Sequence, residues 1–115
     1  MIAVLFEVTV KEGKDKEYLA EAAALADSLK KAPGFIRSER FSSLAVPGKL
    51  LSLSFWRDEE SVAQWRNLLA HRSAQGKGRA GIFEHYRITV MREIRSYTDA
   101  ERSAAPADSN AAHGL

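Results

Sequence analysis

The sequence contains no cysteine. This absence excludes disulfide bonds, zinc–thiolate sites, iron–sulfur clusters held by cysteine and a cysteine nucleophile. The chain also lacks a P-loop, a dinucleotide-binding glycine fingerprint and the nucleophile elbow of the α/β-hydrolases. Its histidines, His71, His85 and His113, do not combine with acidic residues in a metal-ligand spacing, so we expect no metal site.

The sequence also lacks long runs of like charge and long runs of apolar residues. Lys and Arg total 17 against 15 Asp and Glu, and the two signs are interspersed, which argues against a nucleic-acid partner. No apolar run approaches the roughly 18 residues that a membrane span requires. Residues 1–7 carry neither a basic region nor a cleavage site. We therefore expect a soluble, cytoplasmic protein with no membrane partner.

The 115 residues are 45% hydrophobic, which is enough for one domain and too little for two. Alternating and helical periods divide the chain into six segments. In order they are a strand at 2–10, a helix at 15–31, strands at 35–44 and 50–56, a helix that Asp58 caps and that runs to about residue 75, and a strand at 84–97. This order predicts an α+β fold of the ferredoxin-like β-α-β-β-α-β type, with an antiparallel sheet and both helices on one face. The domain is expected at residues 1–98, and residues 99–115 are expected to form a tail that is flexible or contacts a partner.

Both faces of the predicted sheet carry apolar residues. Leu5 alternates with Phe6 in the first strand, and Phe55 alternates with Trp56 in the third. Because the helices cover one face only, the other needs a cover. The simplest cover is the same face of a second copy, so we expect a homodimer through the open sheet face.

The aromatic residues allow two interpretations. Phe6, Phe55, Phe83, Tyr86 and Trp65 either pack as ordinary core or line an apolar pocket for a small, planar substrate. Polar side chains near the Trp65 stripe would then hold the substrate: Asn67, His71, Arg72, His85 and Arg87. Each histidine can also be an ordinary surface or structural residue, and the arginines can equally pair with surface glutamates.

Several of these segments together resemble the antibiotic biosynthesis monooxygenase family. The turn at residues 32–36 reads Ala-Pro-Gly-Phe-Ile, and residues 51–65 pass from a strand through an acidic cap to a helix that bears Trp65. His71 follows, and residues 83–87 lead into the last strand. The resemblance covers about residues 1–97.

The resemblance implies a dimeric α+β barrel with one pocket per subunit between helices and sheet. Some members oxidise aromatic substrates with O₂ and use no metal or flavin, because the deprotonated substrate supplies the electrons. No cofactor is therefore expected, and the candidate catalytic residues are Trp65, Asn67, His71 and Arg72, with Tyr86 beside them. Heme-degrading relatives carry an axial histidine ten residues after a tryptophan, a position that Gln75 occupies here.

Three hypotheses follow. The first is a cofactor-independent monooxygenase of a small aromatic or quinone-like compound, with His71 or His85 assisting deprotonation, Arg72 or Asn67 holding the anion and Trp65 forming a wall. The second is a non-catalytic or stress-related small-molecule binder, which would have no inward histidine or arginine. The third, a heme binder or heme-degrading enzyme, is disfavoured by Gln75.

Overall fold

A computed structural model describes residues 1–75 and 83–114, with the backbone alone over residues 70–75. The elements are β1 (Ile2–Val10), α1 (Asp15–Lys31), β2 (Phe35–Ser42), β3 (Lys49–Trp56), α2 (Glu59–Gln75), β4 (Phe83–Arg92) and α3 (Ala107–Ala112). The first six have the predicted β-α-β-β-α-β order, so the α+β, ferredoxin-like fold class is confirmed. Within the described residues, no helix combines the length and apolar character that crossing a membrane requires.

The four strands form one antiparallel sheet in the order β2-β3-β1-β4. The central strand β1 pairs with both β3 and β4, so that Phe6 lies opposite Ser52 on one side and Ile88 on the other. Paired residues in a ladder point to the same face of the sheet. Even-numbered residues of β1 therefore face the helices, and odd-numbered residues such as Leu5 face away from them.

The buried core is divided between the two ends of β1. One cluster joins Val8, Val10 and Tyr18, and the other joins Ile2, Trp56 and Val62. Each cluster ties one helix to the sheet, because Tyr18 belongs to α1 and Val62 to α2. The middle of β1, between these clusters, lies beneath a cavity instead of a filled core.

Two strand ends differ from the sequence prediction because a strand requires a neighbour. β4 ends at Arg92, opposite Ile2, although the alternating pattern continues to residue 97. β1 begins at Ile2, and one residue before it the Met1 carbonyl still accepts the Glu93 N–H at 2.9 Å. β2 likewise ends at Ser42, where the chain turns toward β3.

The start of β2 contains an irregularity that the alternation did not predict. The register shifts between Phe35, which lies opposite Trp56, and Arg37, which lies opposite Phe55. This bulge reverses the face of the residues that follow it. Phe35 therefore packs against Trp56 on the helix side, with ring centroids 5.4 Å apart. Arg37 lies on the open face, where its guanidinium carbon is 4.0 Å from the centroid of the Phe55 ring.

The C-terminal segment folds on itself around Arg102. Its guanidinium donates to the Asn110 side-chain oxygen at 2.8 Å, to Ser109 Oγ at 2.9 Å and to the Thr98 carbonyl at 3.2 Å. These bonds hold α3 against the chain that precedes it. The helix is an addition to the sequence-based description, and the assignment of residues 99–115 as a flexible or partner-contacting tail stays a prediction.

Candidate functional site

The cavity lies over the middle of the sheet and has a volume of about 260 Å³. Two rows of cross-strand neighbours form its floor: Ser52, Phe6 and Ile88 in one, and Ser54, Val4 and Val90 in the other. The space exists because β3 places serines there, while the same face carries Leu50 and Trp56 at its two ends. The volume is slightly below the roughly 300–1,000 Å³ of typical ligand sites, which suits a small organic molecule.

The two helices supply the walls, through the stripes predicted from their helical spacing. The α1 wall consists of Tyr18, Glu21, Ala22, Leu25 and Leu29, and the α2 wall consists of Val62, Trp65, Arg66 and Leu69. Residues three and four positions apart lie on one face of a helix, so each stripe faces the sheet. The resulting lining is mostly apolar.

Two indole rings form one end of the cavity. The ring centroids of Trp56 and Trp65 lie 6.1 Å apart with an interplanar angle of 34°. Trp56 is 1% exposed, and its Nε1 donates to Ser54 Oγ at 2.8 Å, so its polar atom is satisfied within the protein. Trp65 is only partly buried and borders the cavity. Trp56 therefore supports the wall, and Trp65 is the indole with surface left for a ligand.

Four further lining residues are polar: Arg40, Ser52, Glu21 and Arg66. Arg40 and Ser52 are direct cross-strand partners on β2 and β3. The Arg40 guanidinium carbon lies 5.8 Å from the centroid of the Tyr18 ring, within the range of a cation–π contact. Arg40 and Ser52 thus form a polar side of the otherwise apolar cavity, next to the edge strand β2.

The start of α2 fixes the position of the Trp65 wall. Asp58 Oδ1 accepts the Ser61 backbone N–H at 2.8 Å and the Ser61 hydroxyl at 2.7 Å, as a helix N-cap does. These hydrogen bonds from Ser61, with a smaller effect of Arg57, lower the pKa of Asp58 from its ordinary value. The Arg57 N–H in turn donates to the Gly34 carbonyl at 2.8 Å, which ties α2 to the turn before β2.

The structure brings some of the predicted site residues to this cavity. Phe6 and Trp65 line it. Phe83 and Tyr86 stand beside it, because each of their ring centroids lies 5.7 Å from that of Phe6. Tyr86 is 61% exposed and does not line the cavity, so it lies at the free edge of β4.

Other predicted residues lie elsewhere. Phe55, Arg87 and His85 lie on the open face of the sheet, opposite the odd-numbered β1 residues. Asn67 is exposed on α2 and does not line the cavity. His71 and Arg72 belong to α2, but their side chains lie outside the described residues. The catalytic and substrate-binding roles assigned from the sequence stay predictions.

Sequence reasoning missed Arg40, Ser52, Glu21 and Arg66 as cavity residues. Arg40 lies in a polar, alternating strand and reads as a surface residue. No signal in the sequence identifies it as a cavity residue, because alternation from Phe35 places Arg40 on the opposite face, and the bulge between Phe35 and Arg37 brings it to the helix side. Nothing in the sequence distinguishes Ser52 from Ser54, the other serine of β3, either.

Comparisons with known proteins give one family. The family model described as antibiotic biosynthesis monooxygenase matches residues 1–77. A protein named jasmonate monooxygenase ABM, from Pyricularia oryzae, is 44% identical over 90 residues, which are 78% of this chain and 42% of that protein. The chain thus spans about two fifths of the length of that relative.

Solved structures agree with this fold. SnoaB, a cofactor-independent oxygenase from Streptomyces nogalater, superposes with a TM-score of 0.65 at 16% identity, over 83% of this chain and 94% of that one. Protein SO0527 from Shewanella oneidensis superposes with a TM-score of 0.70 at 18% identity, over 80% of this chain and 89% of that one. At these identities the likeness concerns the fold alone.

Proposed function

The chain belongs to the antibiotic biosynthesis monooxygenase family, and on this premise we propose that it is a monooxygenase whose substrate binds in the cavity between the two helices and the sheet. The observation that carries the proposal is the cavity itself, about 260 Å³ of space lined by apolar side chains and bordered by Trp65. A filled core at this place would have left no room for a substrate. Its mostly apolar lining offers a bound anion a less polar environment than water.

The proposed reaction uses O₂ and no metal or flavin. A substrate with an acidic CH₂ group next to its ring system, as in an anthrone-like aromatic or a quinone-like compound, loses a proton to a base and becomes a carbanion or enolate. This anion transfers electrons to O₂, forms a C–O bond at the same carbon and takes the proton back from the base, which gives a hydroperoxide. Loss of water from the hydroperoxide leaves a carbonyl, so that a CH₂ group and O₂ become a C=O group and H₂O, and the substrate alone supplies the electrons.

The protein's part in this reaction is to hold the anion and to accept its proton. Trp65 supplies a flat wall for the substrate ring. His71, on the same helix, is the proposed base, with Asn67 or Arg72 as groups that hold the anion and with His85 as the alternative base. Arg40 and Arg66 are the arginines among the described lining residues, and the second hypothesis, a binder without inward arginines, is less well supported for that reason.

The proposal is tested by oxygen uptake and by isotope incorporation. The purified protein is incubated with oxygen-18 gas and a panel of anthrones, hydroquinones and jasmonate, the last because of the name of the 44% identical relative. A chelator is present and no reductant is added. We expect O₂ uptake and a product that carries one oxygen-18 atom, and we expect His71→Ala to reduce the rate about 100-fold or more if His71 is the base.

Three outcomes contradict parts of this proposal. Oxygen uptake that begins only after a reductant or a metal is added rejects cofactor independence and keeps the monooxygenase. Binding of panel compounds without any oxygen uptake supports the non-catalytic alternative. Binding of heme with a Soret band that His71→Ala abolishes supports the third hypothesis.

We also propose that two copies form a homodimer through the open sheet face. The apolar centre of this face consists of Ala3, Leu5, Leu51, Leu53 and Phe55, with Phe41 at 41% and Met91 at 40% exposure toward its edges. The Glu7–Lys49 ion pair, at 2.9 Å, lies beside this centre. An apolar centre with a polar rim is the usual anatomy of a stable interface.

A further inference from the structure

We infer that the substrate carries a carboxylate, and that Arg40 and Ser52 bind it at the β2 side of the cavity. This inference rests on the proposed function, because it assumes that the cavity holds the substrate. It adds the chemical class of the ligand and two residues that determine specificity. It concerns binding alone, so it can be tested without turnover.

The geometry of the two strands brings a cation and a hydroxyl together. Arg40 and Ser52 are directly paired across β2 and β3, on the face that the helices cover. Side chains paired in this way have Cβ atoms about 4.5–5.5 Å apart. A carboxylate placed between them can accept a hydrogen bond from the guanidinium and another from the serine hydroxyl. Charge-assisted bonds of this kind are among the strongest that a protein makes.

Both side chains are available for a ligand. Within the described part of the chain, the Arg40 side chain makes a cation–π contact with Tyr18 and no ion pair, and the Ser52 hydroxyl has no hydrogen-bond partner. The neighbouring serine differs, because Ser54 Oγ accepts the Trp56 Nε1–H at 2.8 Å. Of the two serines on the cavity floor, Ser54 is therefore already hydrogen-bonded to Trp56, and Ser52 is the one whose hydroxyl is available to bind a substrate.

The contact with Tyr18 directs Arg40 toward the cavity. Tyr18 is 6% exposed and belongs to the buried cluster at one end of β1, so its ring is a fixed surface. An arginine held on such a ring loses less side-chain freedom when it binds an anion. Arg66, on the opposite wall, also has no ion pair among the described residues, so the described lining carries two arginines and one acidic residue, Glu21.

The remainder of the cavity sets the shape of the ligand. Phe6, Val4 and Ile88 form an apolar floor next to Ser52, and Trp65 borders the same space. A molecule that fits has an acidic end near Arg40 and a compact apolar body. Small alicyclic or aromatic carboxylic acids have this shape.

A displacement experiment tests the inference without turnover. N-phenyl-1-naphthylamine, a neutral probe that fluoresces in apolar cavities, is bound to the full chain. It is then displaced by 4-cyclohexylbutanoic acid or by the methyl ester of that acid, which has the same apolar body and no charge. We expect the wild-type protein to bind the acid about tenfold or more tightly than the ester.

Variants assign the preference to residues. Arg40→Gln is expected to abolish the preference for the acid, Ser52→Ala to reduce it, and Arg40→Lys to retain a part of it, because the charge remains and the planar fork is lost. Arg92→Gln is the matched control, since it removes one exposed arginine that does not line the cavity. Retained binding of the neutral probe reports that each variant is folded.

The outcomes separate this inference from the proposed function. Equal binding of acid and ester by the wild type, or a preference that survives Arg40→Gln, overturns the inference and leaves the cavity as the substrate site. A cavity that binds neither the probe nor the acid overturns both. A preference for the acid that depends on Arg40, in a protein that consumes no O₂ with any panel compound, supports the inference and counts against the monooxygenase.

Discussion

The ring centroids of Trp56 and Trp65 lie 6.1 Å apart. Both indoles border the cavity, but Trp56 is buried, and Trp65 is the one that keeps accessible surface for a ligand. Trp65→Ala is therefore expected to weaken binding of N-phenyl-1-naphthylamine about tenfold, while it lowers the free energy of unfolding by only about 1–2 kcal/mol. Trp56→Ala is expected to lower that free energy by about 3–5 kcal/mol, because the ring is fully buried. Fluorescence titration and urea unfolding measure the two effects. Equal losses of stability in both variants would contradict this division of tasks.

A second prediction concerns the turn that precedes β2. Gly34 has a φ of 79°, and a Cβ at this residue would lie 2.6 Å from the Cβ of Ser61. Gly34→Ala therefore adds a steric clash to the cost of the left-handed backbone, and we expect it to lower the free energy of unfolding by about 2–4 kcal/mol.

Gly13 is the matched control for this substitution. Its φ is 80°, and a Cβ there would meet nothing within 4 Å. Gly13→Ala should therefore cost about 1 kcal/mol, the backbone part alone. Urea unfolding measures the free energy of unfolding of both variants. An equal decrease in both would show that the Ser61 side chain moves away from the added methyl group at no cost, which would contradict the predicted clash.

A third prediction concerns the pH dependence of stability. The Ser61 hydrogen bonds lower the pKa of Asp58 in the folded protein. A group whose pKa falls on folding stabilises the fold above its unfolded pKa, and this contribution is lost as the pH falls through the folded pKa. The melting temperature of the wild type should therefore exceed that of Asp58→Asn near neutral pH, and the difference should shrink in acid. Asparagine is itself a good N-cap, so the variant removes the charge and keeps the cap.

The comparison with Asp58→Asn cancels other groups that titrate in the same range. The pKa of Glu7 is lowered mainly by its hydrogen bond with Lys49, and that of Glu101 by its hydrogen bonds with Ser103. Both are present in the wild type and in the variant, so they drop out of the difference in melting temperature. A difference that stays constant from neutral to acidic pH would mean that the Asp58 charge contributes nothing to stability.

The fold was predictable because local periodicity and long-range pairing agree over most of the chain. The predicted bounds of β1 and α1 are those of the structure, Ile2–Val10 and Asp15–Lys31. The end of β4 was not predictable, because the pattern that predicts a strand continues to residue 97 while the partner strand begins at Ile2. A strand ends where its backbone hydrogen bonds to the neighbouring strand end. The position at which the neighbour ends cannot be inferred from the sequence of the strand itself.

The candidate site was predictable only in its apolar part. Trp65 and Phe6 lie on stripes whose spacing already points toward the core. Arg40 and Ser52 meet through the register of β2 with β3, which depends on the bulge between Phe35 and Arg37. A shift of one residue moves a side chain to the other face of the sheet, so the pairing cannot be obtained from alternation alone.

A final prediction concerns the open face of the sheet. Leu53 lies opposite Leu5 and Glu39 in the apolar centre of this face, so a charge there would be buried between two copies without a partner. We expect Leu53→Glu to convert a wild-type dimer into a monomer in sedimentation velocity. Leu19→Glu is the control, because Leu19 is 49% exposed on α1 and lies outside this face. Binding of N-phenyl-1-naphthylamine should persist in both variants, since the cavity lies on the opposite side of the sheet. A wild-type monomer, or a dimer that tolerates Leu53→Glu, would contradict the proposed interface.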